Sequence, residues 1–228
     1  MSLVAIYEEG KKPRRWGRER DLLDGCVWPK NAIPQKGLIA IDAENNIILA
    51  DQKTGILTKC TIEGTHLADW GQHEHDEKIE EEINYFEIVT QPKGLAVDKF
   101  GYIYVADTGG HGIQRYSFDS TWLPGWINAK GDAPYFFNSP HGVAVDANFH
   151  VYIADTNNNR IKKYTSDGKK LLACWGKQCW GNQDHHIDFN RPQGVAVNFD
   201  GSSMYVADTD NQRVQKFPLD NSKLLSRR

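Results

Sequence analysis

Four aspartates are the residues of this chain whose type and spacing first suggest chemistry. Each one ends an Ala-Asp pair, and together they recur about every 50 residues: Asp51, Asp107, Asp155 and Asp208. A carboxylate at a strand end can serve as a general base or a metal ligand. A carboxylate that recurs in every copy of a repeat is more typical of structure, accepting hydrogen bonds from the turn that follows. We expect these aspartates to build the fold, with Arg160 and Arg213 pairing with acids of neighbouring repeats.

Cysteines and histidines are the other candidate ligands. Cys174 and Cys179 flank a short segment, and two histidine pairs lie elsewhere, His73 with His75 and His185 with His186. A Cys2His2 zinc site from these residues would have atypical spacing, and neither histidine pair has further ligands at a recognisable distance. No phosphate-cradling glycine loop or cofactor fingerprint is present. We therefore expect free or loop-pairing thiols, no metal site and no cofactor.

The elements that position these residues are short strands separated by turn signals. In the third copy the runs GVAVD from Gly142, VYIAD from Val151 and RIKKY from Arg160 alternate their side chains and read as strands. A fourth strand is expected from Lys170 to Trp175. Asp, Asn and Gly residues occupy the breaks between the runs, as turns require. The sequence predicts four antiparallel strands per repeat, which is one blade of an all-β propeller.

The repeated pattern resembles the NHL repeat family of β-propellers. Its hallmarks appear as PHGVAVD from Pro140, VYIADTNNNR from Val151 and a Trp-Gly step at Trp175, and related copies begin at Pro34, Pro92 and Pro192. The resemblance predicts repeats at about 34–91, 92–139, 140–191 and 192–228, preceded by a partial outer half-blade and crossover at 1–33. We interpret all of these as one domain. The family usually closes six blades. Four and a half repeats therefore indicate a fragment with an incomplete ring, an unusual ring closure, or copies that assemble to complete the ring, of which the sequence favours the fragment.

The residue between proline and glycine in each Pro-x-Gly start varies, and in a propeller it lies near the mouth of the central channel. These residues are Lys36, Lys93, His141 and Gln193. We predict a ligand-binding rim here, with a solvated rim lacking selectivity as the alternative.

Composition narrows the partners. The 228 residues carry 27 basic and 30 acidic side chains, a net charge of −3, which gives no overall attraction to nucleic acids. No apolar run approaches the roughly 18 residues of a membrane helix, and no signal peptide is evident. We expect no membrane partner; the compartment is unknown, with the cytoplasm as the default.

The crossovers between repeats favour a protein-interaction scaffold or binding module over an enzyme. They are rich in side chains that anchor protein interfaces, including Trp126, Tyr135, Trp180 and His185. Phe136, Phe137 and Phe189, just before the Pro-x-Gly starts, are expected to be buried between blades. RNA binding is an alternative. A zinc-dependent enzyme like the amidating lyases is the least favoured, because His141 alone cannot form their histidine set. Another protein is the expected partner, and oligomerisation or a larger parent chain is possible.

Overall fold

The computed structural model describes residues 4–6, 14–16, 37–71, 88–126, 128–177, 179 and 187–219. Within these residues the chain consists of β-strands, turns and two single-turn 3-10 helices, Thr156–Asn158 and Thr209–Asn211. No described segment is a helix with the length and apolar character needed to cross a bilayer.

A short hairpin and a four-stranded antiparallel sheet come first along the chain. In the hairpin, β1 (Val4–Ile6) pairs with β2 (Arg14–Trp16). The first sheet has the order β3 (Gly37–Ile41), β4 (Ile47–Asp51), β5 (Leu57–Cys60) and β6 (His66–Trp70).

The third sheet is also four-stranded and follows the strands expected for the third repeat. It runs β10 (Val143–Val145), β11 (Val151–Asp155), β12 (Arg160–Tyr164) and β13 (Leu171–Gly176), each antiparallel to its neighbour. Strand order therefore follows chain order, as in a propeller blade.

The second and fourth sheets have three described strands each rather than the four expected. The second contains β7 (Pro92–Val97), β8 (Ile103–Asp107) and β9 (Gly112–Tyr116), and the fourth contains β14 (Pro192–Val197), β15 (Ser203–Asp208) and β16 (Arg213–Pro218). Beyond β9 the outer position is reduced to one bridge between Tyr116 and Trp122. Pro124 follows, and its missing N–H cannot extend the ladder. The outer strand expected after Leu219 lies outside the described residues.

The four sheets stand side by side, with their inner strands in the order β3, β7, β10 and β14. The described strands form an arc of propeller blades and do not close a ring. The all-β propeller expected from the sequence is confirmed, whereas the division into repeats at 34, 92, 140 and 192 stays a prediction.

Side-chain alternation along each strand supplies the core between sheets. On β11, Val151 and Ile153 pack toward the second sheet, while Tyr152 and Ala154 pack toward the fourth. On β8, likewise, Ile103 and Val105 pack toward the first sheet, and Tyr104 and Ala106 toward the third. We call these two sides the preceding face and the following face of a sheet. Each junction is thus one apolar cluster built from two neighbouring repeats, and burial there stabilises the stack.

The first repeat departs from the Pro-x-Gly pattern. Gly94 lies opposite Ala106 and Gly194 opposite Ala207, but it is Leu38 that lies opposite Ala50 in the first sheet. Gly37 therefore lies one residue before the position that the motif glycine occupies in the second and fourth sheets. The first repeat has five positions from Gly37 to Asp42, whereas the second has four from Gly94 to Asp98. This extra residue in the inner strand explains the shift, because side-chain direction in a strand depends on register.

Candidate functional site

The candidate site is the rim where the inner strands begin. Lys93 is the second residue of β7 and Gln193 the second of β14, and His141 directly precedes Gly142, whose carbonyl accepts the N–H of Ala154 on β11. Lys36, the fourth predicted residue, lies outside the described part of the chain. Lys93 and His141 are half-buried, and Gln193 is exposed.

Backbone packing brings these positions into neighbouring places on the rim. A Cβ on Gly94 would clash with the carbonyl oxygen of His141, and one on Gly142 would lie 2.7 Å from the carbonyl oxygen of Gln193. Glycine is required because the next inner strand starts against it. The structure thus places the three described residues at successive starts; their role in binding stays a prediction.

Two histidine side chains interact with the backbone of the same serine, one at its N–H and the other at its carbonyl oxygen. The Ser139 N–H donates to His111 Nδ1 at 3.0 Å, and His141 Nδ1 lies 2.9 Å from the Ser139 carbonyl oxygen. A ring nitrogen that accepts a hydrogen bond carries no proton, whereas a ring nitrogen that faces a carbonyl oxygen carries a proton and donates it. Both rings can therefore be neutral, with His111 carrying its proton on Nε2 and His141 keeping a lone pair on Nε2.

The electrostatics of the rim favour the neutral forms. Burial lowers the pKa of His141 below its usual 6.5, with Lys93 and Arg191 acting in the same direction and the Ser139 carbonyl opposing. Burial also lowers the pKa of His111, aided by Lys130 and opposed by Asp107 and Asp155. Each imidazole therefore loses its proton more readily than a free histidine does.

Arg191 and His111 belong to this site although the sequence did not single them out. Arg191 is exposed, precedes Pro192, and lies 3.9 Å from the Asp210 carboxylate. His111 occupies the left-handed turn position that Asn159 and Gln212 occupy in the next two repeats. Asn159 accepts the Arg191 N–H at 2.8 Å, as His111 accepts that of Ser139. The signal available in the sequence was this shared position after the Ala-Asp-Thr motif.

The repeated aspartates are structural in this arrangement. Asp155 accepts the backbone N–H of Asn138 at 2.8 Å, and Asp208 accepts that of Asn190 at 2.7 Å. These donors come from the crossover that enters the same blade. The carboxylates therefore fix the approach to the inner strand, and the expected structural role is confirmed.

The expected pairing of the arginines with acids of neighbouring repeats is wrong. Arg160 Nε donates to Asp155 at 2.7 Å and Arg213 Nε to Asp208 at 2.8 Å, both within one repeat. Five residues around the tight 3-10 turn bring each pair face to face across the β-ladder. The Arg160 guanidinium also donates to the carbonyl oxygens of Asp132 and Ala133, so it secures the crossover.

The crossover aromatics divide between core and surface. Trp126 is half-buried with its ring 5.3 Å from that of Tyr164, whereas Tyr135 is exposed. Trp180 and His185 lie outside the described residues, so all four stay predictions as partner contacts. Phe137 and Phe189 are buried as expected. The expectation for Phe136 is wrong, because its ring is exposed while its carbonyl accepts from Arg160.

The thiols and histidines form no metal centre in the part of the chain that the structure describes. Cys174 and Cys179 are joined by a disulfide, which agrees with the loop-pairing expectation. Cys60 is a free, buried thiol.

A cluster of aromatics at the opposite end was not foreseen. Phe100 and Phe149, from the inner turns of the second and third sheets, stack at 4.9 Å, and Lys99 Nζ lies 4.7 Å from the Phe149 ring centroid. Phe149 adopts a left-handed φ of 63° where the second and fourth repeats have Gly101 and Gly201. A bulky residue in that region is strained, so its ring position is imposed by the stack.

The chain is similar to known proteins both in its repeat sequence and in its fold. The family model described as NHL repeat matches residues 137–164 and 189–217. No protein of curated function matches the sequence.

Among solved structures, a streptogramin B lyase aligns with a TM-score of 0.58 at 12% identity, covering 96% of this chain and 62% of the lyase. A selenomethionine-substituted virginiamycin B lyase from Staphylococcus aureus aligns at 0.57 and 12%, with 96% and 64% covered. The hydrazine synthase of Kuenenia stuttgartiensis aligns at 0.53 and 11%, with 81% and 45% covered. The chain spans less than two thirds of the length of each lyase, and identities this low establish the fold alone.

Proposed function

Since this chain belongs to the NHL repeat family, we propose that it is a β-propeller binding module that holds an acidic segment of a protein partner at the inner-strand rim. The rim consists of Lys93, His141, Arg191 and Gln193. The observation that carries the proposal is the packing of successive strand starts: the His141 carbonyl lies against Gly94, and the Gln193 carbonyl against Gly142, so Lys93, His141 and Gln193 occupy neighbouring positions.

The chemistry of the rim suits a carboxylate-bearing peptide. Lys93 has no ion pair within the described residues, so its ammonium can meet an incoming carboxylate, and such charge-assisted bonds are the stronger ones. His141 Nε2 can accept a peptide N–H, and the exposed Gln193 amide can both donate and accept. Together these groups can pair with the N–H groups, the carbonyl oxygens and the acidic side chains of a peptide.

The small extent of the basic rim favours a short acidic peptide over RNA as the ligand. The chain has a net charge of −3, and an acidic run lies between Asp76 and Glu82 in the crossover before Pro92. Phosphate contacts depend on a basic surface along the nucleic acid, which these charges oppose. A short acidic segment needs only the local cations of the rim.

Fluorescence anisotropy with a labelled polyglutamate peptide tests the proposal. Polyglutamate should bind, and both Lys93→Ala and His141→Ala should weaken it, the lysine change by roughly tenfold, as loss of a charge-assisted bond implies. Lys169→Ala is the matched control, because Lys169 is 74% exposed in the turn before β13, at the other end of the sheet.

Three results would contradict the proposal. Polyglutamate could fail to bind, the control could weaken binding as much as Lys93→Ala, or labelled oligouridine could bind in its place with a steep salt dependence. The last result would establish the RNA alternative.

A further inference from the structure

The following face of the fourth sheet is built like the other following faces, but no described residue covers it. Val214 of β16 is 72% exposed, whereas the equivalent Ile113 and Ile161 are 1% and 0% exposed. Tyr205 is 40% exposed, whereas the equivalent Tyr104 and Tyr152 are fully buried. In the second and third sheets these positions are covered by the next blade.

Small residues keep this face open for a neighbouring inner strand. Position 142 requires glycine because the start of the next inner strand, at Gln193, lies against it. Position 194 is also glycine, although a Cβ there would meet only the Ala207 side chain, at 3.1 Å. Ala196 and Ala207 repeat the alanines at 144 and 154. The fourth sheet therefore carries a socket of the shape that receives a blade in the preceding repeats.

Two polar side chains at the edge of the socket, Thr209 and Gln212, lack described partners of the kind that their equivalents have in the next blade. Thr156 Oγ1 donates to the Pro192 carbonyl of the next blade at 2.8 Å, and Thr108 donates likewise to Pro140. The equivalent Thr209 is exposed, and among the described residues its hydroxyl donates only to the Ala207 carbonyl of its own sheet, at 3.4 Å. Gln212 stands where Asn159 accepts a backbone N–H from the next blade, and it too is exposed.

The complementary surface is present at the other end of the same arc. Ile39 and Ile41 of β3 are 50% and 59% exposed, whereas their equivalents Leu95 and Val97 pack into the junction with the preceding sheet. The exposed part of that face is the inner strand, since Ile47 and Leu49 of β4 are buried. At each internal junction, the following face of one sheet receives an apolar inner strand of this kind from the next sheet.

We infer that the fourth sheet is a docking surface for a second copy of this chain, bound head to tail. The β3 strand of one copy, with Ile39 and Ile41, lies against Gly194, Tyr205 and Val214 of the other. The inference concerns the following face of the fourth sheet, which borders the rim at Gln193, and it does not depend on what the rim binds.

Head-to-tail pairing fits the donors better than two fourth sheets placed face to face. Thr209 needs a carbonyl acceptor and Gln212 needs a backbone N–H donor, and the start of an inner strand supplies both at the internal junctions. A second fourth sheet would present another Thr209 and another Gln212 instead. The interface is therefore heterologous, and copies either close a ring or extend a chain.

Two single variants and their mixture test this by light scattering coupled to size exclusion. The wild-type chain should have a mass of at least two copies, and Val214→Glu and Ile41→Glu should each reduce it at least twofold, to one copy. Both sites are exposed in the single chain, so folding should persist, which circular dichroism verifies. An equimolar mixture of the two variants should recover two copies, because one intact socket and one intact strand remain.

Each contrary result is decisive. A wild-type chain with the mass of one copy overturns the inference. Assembly lost in Val214→Glu but kept in Ile41→Glu shows face-to-face pairing, and a mixture that stays at one copy excludes head-to-tail docking. Phe118→Glu, at an exposed site outside both surfaces, should leave the mass unchanged.

Discussion

Thr156 Oγ1 donates a 2.8 Å hydrogen bond to the carbonyl oxygen of Pro192, which begins the inner strand of the next blade. The residue after each Ala-Asp pair thereby joins one repeat to its successor. The same relationship links Thr108 with Pro140.

Replacing Thr156 by valine removes this bond while keeping the side-chain shape. The buried Pro192 carbonyl loses its donor, and the free energy of unfolding should fall by about 1–2 kcal/mol. Thr65→Val is the control and should change it by less than about 0.5 kcal/mol, since Thr65 is exposed in the turn between β5 and β6. Urea denaturation measures both, and equal effects would show that the interblade bond contributes nothing.

Arg160→Ala should be strongly destabilising and Arg213→Ala should not. Both arginines pair with the aspartate of their own repeat, but the Arg160 side chain is 1% exposed and that of Arg213 is 49% exposed. Removing Arg160 takes away one of the two buried cations of Asp155, the other being Lys162 at 3.3 Å, and also the donor to the Asp132 carbonyl, so the loss should reach about 3–5 kcal/mol. Asp208 is buried too, but it keeps donors from Asn190, Asn211 and Gln215, so losing the half-exposed Arg213 should cost about 0–1 kcal/mol. Thermal and urea melts compare the variants, and a smaller loss for Arg160→Ala than for Arg213→Ala would refute this account.

Gly142→Ala tests the close approach of adjacent inner strands. The new Cβ would lie 2.7 Å from the Gln193 carbonyl oxygen and 2.9 Å from the Val195 nitrogen, both backbone atoms. Such overpacking should cost about 1–3 kcal/mol of stability. In the matched Gly194→Ala variant the Cβ meets only a side chain of its own chain, at 3.1 Å, so it should lose less stability when both variants are made in the Val214→Glu background, which we expect not to assemble. A reversed order of the two melting temperatures would disprove the packing argument.

Stability should fall as the pH drops below about 6.5. The pKa values of His111 and His141 lie below that usual value in the folded chain, so the unfolded chain binds more protons there. The stabilisation is complete above pH 6.5 and is lost as the unfolded histidines become protonated, until the folded pKa values are reached.

His111→Asn isolates one of these groups. Asparagine supplies a side-chain acceptor in the left-handed conformation, as Asn159 does in the next repeat, but it does not titrate. The variant should keep its stability at pH 7.5 and lose less of it at pH 5.5 than the wild type, measured by thermal denaturation. An unchanged pH profile would show that His111 does not contribute.

Cys60 should resist alkylation until the chain unfolds. Burial, followed by the Asp69 carboxylate, raises the pKa of its thiol to about 12, so the reactive thiolate is scarce at neutral pH. Mass spectrometry after iodoacetamide treatment should show Cys60 modified in urea but not in native buffer. Cys60→Ser provides the control for assignment, and rapid native labelling at Cys60 would contradict its burial.

Local pattern was sufficient for the strands of the third repeat and for the structural role of the aspartates. Period-two alternation and turn residues act over a few neighbours, so they can be read from the chain itself. The partners of Arg160 and Arg213 could not, because the choice between two acids depends on the geometry of a turn. Phe136 and Phe137 are adjacent, yet only the second is buried, since burial depends on which ring points into the junction.

The sequence by itself determined the propeller blade, because its alternation and turns are local and repeated. The tertiary structure decided how blades meet: which glycines receive a neighbouring strand, which threonines bridge repeats, and how Lys93, His141 and Arg191 come together. These relationships join residues dozens of positions apart, and only the stacking of sheets brings them into contact. The same stacking leaves Val214 exposed where Ile113 and Ile161 are buried, a difference between equivalent residues that no single repeat contains.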